Sequence, residues 1–417
     1  MAMNMVEKIL AEHSGLSTVS PGDIVNVSVD RAILLDIAGL HPELVRNPPK
    51  RPFDPDRVSI VFDHFVPPAT VELAEGTSKI RKLARAWGIR NFYDAGRGGI
   101  SHALGAELGW FVPGSIIANT DSHSVAAGAF NCLSRGLGTP ELMQVLCTGR
   151  TWFIVGETVR IDFQGGLRKG VEAKDAFFEI ARRVGDISNM NIEFGGDMHS
   201  LSMDDRSSIS AMTAELGVEF SIFEHDSVLS SYLSGRVGNY RPVAPDAGAP
   251  YAQTHTVDLG ELEPMVAVPH NVVGNVRPVG DVQGTRIDQA VIGSCANGRL
   301  HDLEVAARIL KGRKVNRDVR LIVTPATVNI YREALELGYI KAIAEAGAVV
   351  TNPTCGSCFG GHMGLLAPGE VAVTSTTRNF RGRMGSRDAS IFLASSATVA
   401  ASALNGYISD PREVMAQ

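Results

Sequence analysis

Apolar residues recur along this chain in two periods, one near four residues and one of two, and they mark out alternating helices and strands. Met5 to His13 places Val6, Ile9 and Leu10 on one helical face and is stopped by Gly15. Asp23 to Val29 alternates like a strand, and the apolar run Arg31 to Leu40 predicts a helix. Val58 to Phe62 predicts a strand that ends on Asp63-His64. Ala69 to Trp87 predicts a long amphipathic helix. Asn91 to Tyr93 reads as a short strand, and the glycine run from Gly96 to Gly99 then turns the chain toward His102. Ser115 to Ala118 is a further strand, leading to Thr120-Asp121-Ser122-His123. Helices are predicted over Ala173 to Val184 and over Met203 to Gly217, the second carrying Glu215. From Arg286 the pattern becomes strand–helix–strand: Ala290 to Ile292, Asp302 to Leu310, Val319 to Val323, Asn329 to Leu337, Ala348 to Val350, and a last strand over Val371 to Ser375. Such βαβ repetition implies a parallel sheet. The uncharged run Ala389 to Ser409 predicts a closely packed buried helix rather than a membrane span.

Two stretches break the pattern. Phe163-Gln164-Gly165-Gly166 is a domain edge, and Tyr240 to Tyr251, rich in proline, alanine and glycine, is a linker. With 417 residues the chain has room for two or three domains. The expected division is 1–160, 161–262 and 263–417. At 44% hydrophobic and 20% charged the composition is that of an ordinary globular protein, and a net charge of −6 offers no basic footprint for nucleic acid. The N-terminus carries Glu7, Lys8 and Glu12 in its first apolar stretch, so a secretory signal is not expected and the cytoplasm is. Five cysteines are too few for a disulfide scaffold. Cys132 and Cys147, in apolar surroundings, are expected as small buried residues.

The other three cysteines are arranged differently. Cys295 follows the strand Ala290 to Ile292, and Cys355 and Cys358 follow Ala348 to Val350 sixty residues on. Open α/β sheets put their ligands at the carboxyl ends of strands. A lone Cys-x-x-Cys is also the mark of a redox dithiol or of half a zinc site, and His362 could complete the latter. Three thiolates on two such loops can hold three corners of a 4Fe–4S cluster and leave one iron open, and an open iron is a Lewis acid.

Histidines mark the same geometry in the first third. His64, His102 and His123 each come after a strand, and Asp63 and Asp121 stand close by. A carboxylate beside an imidazole fixes its orientation and raises its pKa, which suits a general acid that must expel hydroxide. Arg378, Arg381 and Arg383 add a cluster of guanidinium groups, the natural partners of carboxylates. An open iron, buried acids and a carboxylate clamp together describe the reversible dehydration of a hydroxy acid.

These motifs resemble the large subunits of 3-isopropylmalate dehydratase and homoaconitase, in the aconitase superfamily. The resemblance runs from Val6-Glu7-Lys8-Ile9-Leu10 to Ser409-Asp410-Pro411-Arg412, and its most specific parts are Ile292 to Arg299, Pro353 to Cys358 and Arg378 to Arg383. It implies an α/β fold of three domains with mainly parallel sheets around a central cluster cleft, without the swivel domain of the longer relatives. It implies that Cys295, Cys355 and Cys358 ligate a 4Fe–4S cluster with one iron free of cysteine, that Asn297 supports the cluster, and that Arg378 and Arg383 bind substrate carboxylates. It pairs Asp63 with His64, Asp121 with His102 and Glu215 with His123 as the catalytic set, with Ser122 alongside. It also implies a separate small subunit, carrying the swivel domain and the catalytic serine base.

The chain departs from the family at Leu35 (before Asp36), at Ala126, at Ala211 and at Thr377, each a position where a polar group or a larger one is usual. The expected activity is a hydro-lyase that isomerises 3-isopropylmalate, in leucine biosynthesis. The departures keep open another alkylmalate, dimethylmalate, citramalate or homocitrate. A non-catalytic iron–sulfur sensor that binds RNA is the rival of another class, and the retained histidine–carboxylate pairs speak against it.

Overall fold

The computed structural model describes residues 2–415. They fall into two compact units: the first runs to Phe163 and resumes over Ile187–Thr256, and the second takes Gln164–Asp186 and the chain from Val257 onward. The unit edge at Phe163/Gln164 lies where the composition changes.

The first unit is built on a five-stranded sheet in the order Asn91–Tyr93, Val58–Val61, Arg31–Leu35, Ile116–Asn119, Leu133–Gly136. Every pairing in it is parallel. Strand order therefore reverses between Arg31–Leu35 and Ile116–Asn119, and open α/β sheets hold their ligands beyond such a reversal. The expected helix over Arg31 to Leu40 is a correction. Its first half is the central strand, with Ala32 to Leu35 wholly buried, and only Asp36–Leu40 coils, as a 3₁₀ turn. A central parallel strand has both faces covered, so it reads as an unbroken apolar run and loses the alternation that would betray it.

Beside this sheet the unit has an antiparallel ribbon, Ile24–Ser28 with Arg150–Ile154. A second sheet pairs Thr158–Gln164, Asn191–Gly196 and Ser221–Phe223 in parallel. The helix expected over Met203 to Gly217 ends at Met212 and continues as a 3₁₀ turn, Thr213–Leu216, that carries Glu215. It packs on the 3₁₀ segment Ser122–Phe130, where the Ser210 hydroxyl donates to the Val125 carbonyl at 2.7 Å. The strand Ser221–Phe223 also presses on this segment, so that a Cβ on Gly128 would lie 1.7 Å from the Ser221 carbonyl oxygen. Ala126 and Ala211 are fully buried in these two segments, so their small size serves close packing.

The second unit has a seven-stranded sheet in the order Val276–Pro278, Met265–Ala267, Ser390–Ala394, Val371–Thr374, Gln289–Gly293, Arg320–Thr324, Val349–Val350. The last five strands are parallel, and the order reverses between Gln289–Gly293 and Val371–Thr374. The expected single helix over Ala389 to Ser409 is again a correction. Ser390–Ala394 is a strand, Ser395 caps a new helix by accepting from the Thr398 N–H, and that helix, Ser396–Asn405, ends at Gly406 in the left-handed conformation. Cys132 is buried as expected, whereas Cys147 is exposed on the outer face of helix Thr139–Thr148.

Candidate active site

In the first unit the loops after the strands assemble a row of alternating carboxylates and imidazoles. Asp36 begins it at the end of the central strand. Its buried carboxylate accepts from the backbone N–H of His64 at 3.1 Å and of Phe65 at 2.6 Å, which ties the loop after Val58–Val61 to the central strand. Burial, and then the neighbouring Asp63, push its pKa up. Asp63 accepts from the Ser101 N–H at 2.9 Å through one oxygen and from His64 Nδ1 at 2.7 Å through the other. On the far side of the ring, His64 Nε2 lies 3.5 Å from Asp121 Oδ2. Burial disfavours the charged ring, but the carboxylates of Asp63, Asp121 and Asp36 outweigh it and lift its pKa to about 10.

Asp121 is the hinge of the row. The His123 backbone N–H donates to it at 2.6 Å, and His123 Nε2 stands 3.1 Å from Glu215 Oε1. Burial raises the Asp121 pKa, yet its contact with His123 and the charges of His102, His123 and His64 hold it well below the ordinary carboxylate range. His102 is buried on the short helix Ser101–Glu107 rather than at a strand end, since the glycine run carries the chain past the strand before the helix starts. The resemblance pairs Asp121 with His102; in the structure Asp121 lies 3.5 Å from His64 and 3.5 Å from His123, and the charge of His102 acts on it. Ser122, at the head of the 3₁₀ segment, is exposed.

In the second unit the same kind of sheet reversal gathers thiols and cations. The strand Gln289–Gly293 turns sharply into Ser294–Asn297, with Ser294 at φ +67° and Gly293 at φ +133°. A Cβ on Gly293 would lie 2.2 Å from the Thr324 carbonyl oxygen, so the turn that presents Cys295 needs glycine there. Cys295, Cys355 and Cys358 are 3%, 7% and 1% exposed, and none is in a disulfide. Arg383 Nη2 donates to Cys358 Sγ at 3.3 Å, and Thr377 Oγ1 lies 3.6 Å from the same sulfur. Thr377, one of the departures, thus keeps a hydroxyl beside a thiol.

Lys174 is the residue that sequence reasoning missed. It lies on the helix Ala173–Val184, wholly buried, and its ammonium donates to Asn297 Oδ1 at 3.2 Å and to the carbonyls of Ser375 and Thr376. It therefore joins the Cys295 turn to the end of Val371–Thr374. Asn297 in turn donates to Asp302 at 2.9 Å. Burial lowers the Lys174 pKa to about 8, against the pull of Asp302, Cys295 and Cys358. One signal was available: Lys174 sits three and four residues before Phe177 and Phe178, on the apolar face, where a lysine is out of place.

The donor set fits an iron–sulfur group that is anionic once its thiolate ligands are counted. Three sheltered thiols would stay protonated unless cations compensated their charge, and Arg383 and Lys174 supply two. Among the described residues the buried Arg383 Nε and Ser357 Oγ have no hydrogen-bond partner, as donors turned toward sulfide acceptors would. Arg378 is half-buried on the same loop, and Arg381 is exposed.

Comparison with known proteins adds four findings. The model of the aconitase family (aconitate hydratase) matches residues 57–283 and 272–406. The 3-isopropylmalate dehydratase large subunit of Mycolicibacterium smegmatis is 48% identical over 423 residues, covering 100% of this chain and 99% of that protein. A probable methanogen homoaconitase large subunit of Methanothermobacter thermautotrophicus is 42% identical, over 99% of this chain and 98% of its own. Among solved structures, Thermococcus kodakaraensis aconitase X in its holo-form matches with a TM-score of 0.53 over 94% of this chain and 90% of that one. At 14% identity that likeness concerns fold alone.

Proposed function

Because the chain belongs to the aconitase family and is a hydro-lyase, we propose that it is the large subunit of an enzyme that interconverts 3-isopropylmalate and 2-isopropylmalate in leucine biosynthesis. Relatives named 3-isopropylmalate dehydratase large subunit span its whole length at 40–48% identity. The name implies a separate small subunit, and in this reading that partner supplies the serine base.

Cys295, Cys355 and Cys358 would hold the 4Fe–4S cluster, which supplies a Lewis acid when bound. The rest of the chemistry belongs to the chain's own side chains. His64, charged at neutral pH, protonates the departing hydroxyl. Asp63 fixes the ring through Nδ1, so Nε2 is the nitrogen that faces outward to Asp121 and gives up the proton. Asp121 orders His64 and His123 together, Glu215 orders His123, and His102 adds a positive charge beside Asp121. Arg378 binds a substrate carboxylate. Arg383 holds the Cys358 sulfur and keeps Nε for a second acceptor. Ser122, exposed beside Asp121, is the remaining hydroxyl of the set.

The observation that carries this reading is His64, a sheltered imidazole kept protonated by three carboxylates, since dehydration needs an acid strong enough in supply to turn hydroxide into water. The test is anaerobic co-expression with the small subunit, followed by incubation with 2- and 3-alkylmalates, dimethylmalate, citramalate and homocitrate in deuterated water, read by proton NMR. Isomer formation and deuterium incorporation with isopropylmalate are expected. Turnover of homocitrate alone would move the chain to the homoaconitase branch. No exchange with any member, in protein that retains iron and sulfide, would overturn the hydro-lyase reading.

A further inference from the structure

The first unit has a second recess, at the other end of its five-stranded sheet. A cavity of about 680 Å³ opens where the strands Arg31–Leu35 and Ile116–Asn119 begin, whereas Asp36 and Asp121 lie where they finish. That volume is within the range of about 300–1,000 Å³ in which proteins hold small molecules. Nothing in the hydro-lyase chemistry uses it.

Its walls are built rather than incidental. The segment Arg241 to Ala244, part of the proline- and alanine-rich stretch that the sequence offers only as a linker, forms one side. Asn131, fully buried and in the left-handed conformation, clamps it in both directions, accepting from the Val243 N–H at 2.8 Å and donating to the Val243 carbonyl at 3.0 Å. Lys8 holds the next residue through the Ala244 carbonyl at 2.8 Å. The opposite side is Trp110, largely buried, with the Arg31 guanidinium over its ring at 5.2 Å from the centroid.

Of the charged groups that line it, Lys8, Arg31 and Arg241 are basic, and Asp30 and the exposed Glu12 are acidic. Asp30 is spoken for: it accepts from His13 at 2.8 Å and from the Ile116 N–H at 2.8 Å, with Arg57 beside it. Lys8 is paired with Asp246. Arg31 has no carboxylate within 4.0 Å among the described residues, and its acceptors, the Ser59 hydroxyl at 3.0 Å and the Asp56 carbonyl at 3.5 Å, both engage Nη1. Burial lowers its pKa, which marks a cation under-supplied with acceptors. Arg241, exposed at the rim, has no ion pair among the described residues. An arginine pinned on an indole, with its other donors unengaged and a second arginine nearby, is a receptor for a carboxylate attached to an apolar body.

We propose that this cavity binds a small monocarboxylate, its carboxylate between Arg31 and Arg241 and its apolar part against Trp110. The proposal is independent of the hydro-lyase reading, because no residue in it belongs to the row or to the thiol loops. The probes are isovalerate, acetate and inorganic phosphate, titrated into the purified full-length chain and followed by calorimetry and tryptophan fluorescence. Isovalerate should bind saturably and more tightly than acetate or phosphate, with a fluorescence change that disappears in Trp110→Phe. Arg31→Met should weaken it at least about tenfold, the share of one charge-assisted pair. Arg241→Ser, at an exposed position, should weaken it without risk to folding. Absence of saturable binding at millimolar concentration overturns the proposal. So does isovalerate binding that survives both arginine variants, and so does phosphate binding as tightly as isovalerate, which would reveal an anion patch with no use for Trp110.

Discussion

In the first unit the loops after the parallel strands, with a helix that brings His102 and a 3₁₀ turn that brings Glu215, gather four carboxylates and three imidazoles; in the second, the loops at a like sheet reversal, with a helix that brings Lys174, gather three thiols, an amide and two cations. The first set is internally compensated. Asp63, His64, Asp121, His123 and Glu215 alternate in sign, so each buried charge has its counter-ion as a neighbour. The second set is not. Arg383 rests on a sulfur, and Lys174 rests on an amide and two carbonyls, with Asp302 reached only through Asn297. A row that compensates itself is suited to moving protons without changing its total charge. A set whose cations face thiols is suited to holding those thiols as thiolates, ready to ligate a metal group. One architecture thus serves two chemistries, and the residues placed at the strand ends decide which.

The comparison breaks most decisively at the thiols. Cys358→Ser should abolish turnover and lower bound iron and sulfide, while far-UV circular dichroism stays unchanged; full activity in this variant would sink the cluster mechanism. His64→Gln should leave iron and sulfide at their normal content and lower kcat by about 10²–10⁴-fold, the usual worth of a general acid. If it also emptied the iron site, the two sets would not be separable as argued. Lys174→Met removes one ammonium from three acceptors, and each buried acceptor left alone costs about 1–3 kcal/mol. Denaturant unfolding of the iron-free chain should therefore register a loss of that order, and a neutral result would mean that Lys174 holds nothing together.

A finer prediction concerns pH. His64 is lifted from the ordinary 6.5 to about 10. Its charge then contributes stability that is fully present below about 6.5 and disappears as the pH rises through about 10. The alkaline limb of activity should fall in the upper part of that window. Asp36→Asn takes away one of the three carboxylates facing the ring and should bring the limb to lower pH. A limb that stays in place would assign it to another group. The smallest effect is expected at Cys147→Ser, on an exposed helix face, where turnover and iron content should match the parent protein.

Much of this was legible in the chain because its chemistry is local. Asp63-His64 adjoin in sequence, as Asp121, Ser122 and His123 do, and each strand that presents them is a short β-branched or apolar run. The Cys-x-x-Cys spacing carries its own meaning. What escaped is long-range. Lys174 meets partners 123 to 202 residues away, and no local pattern reports such a distance. Asp36 acts through backbone N–H groups 27 to 29 residues on, which carry no side-chain signature. Arg383 was legible as a carboxylate binder, but its contact with Cys358 depends on how the loop Arg378 to Arg383 folds back. The strand Arg31–Leu35 was hidden by its own burial, and Cys147 misled because apolar neighbours three or four positions away define only one face of a helix.

The units are also interleaved along the chain, since Gln164–Asp186 belongs to the second although most of it is made after Ile187–Thr256. On the ribosome the helix that carries Lys174 emerges early and must wait for Ser375 and Thr376. At roughly 5–20 residues per second that delay is on the order of 10–40 s. Throughout it, an ammonium destined for a dry interior stays in water on the face that also bears Phe177 and Phe178. Nascent chains of this protein should therefore be clients of holding chaperones in that interval. A stretch of gene cut after Thr256 would leave the same helix without its home.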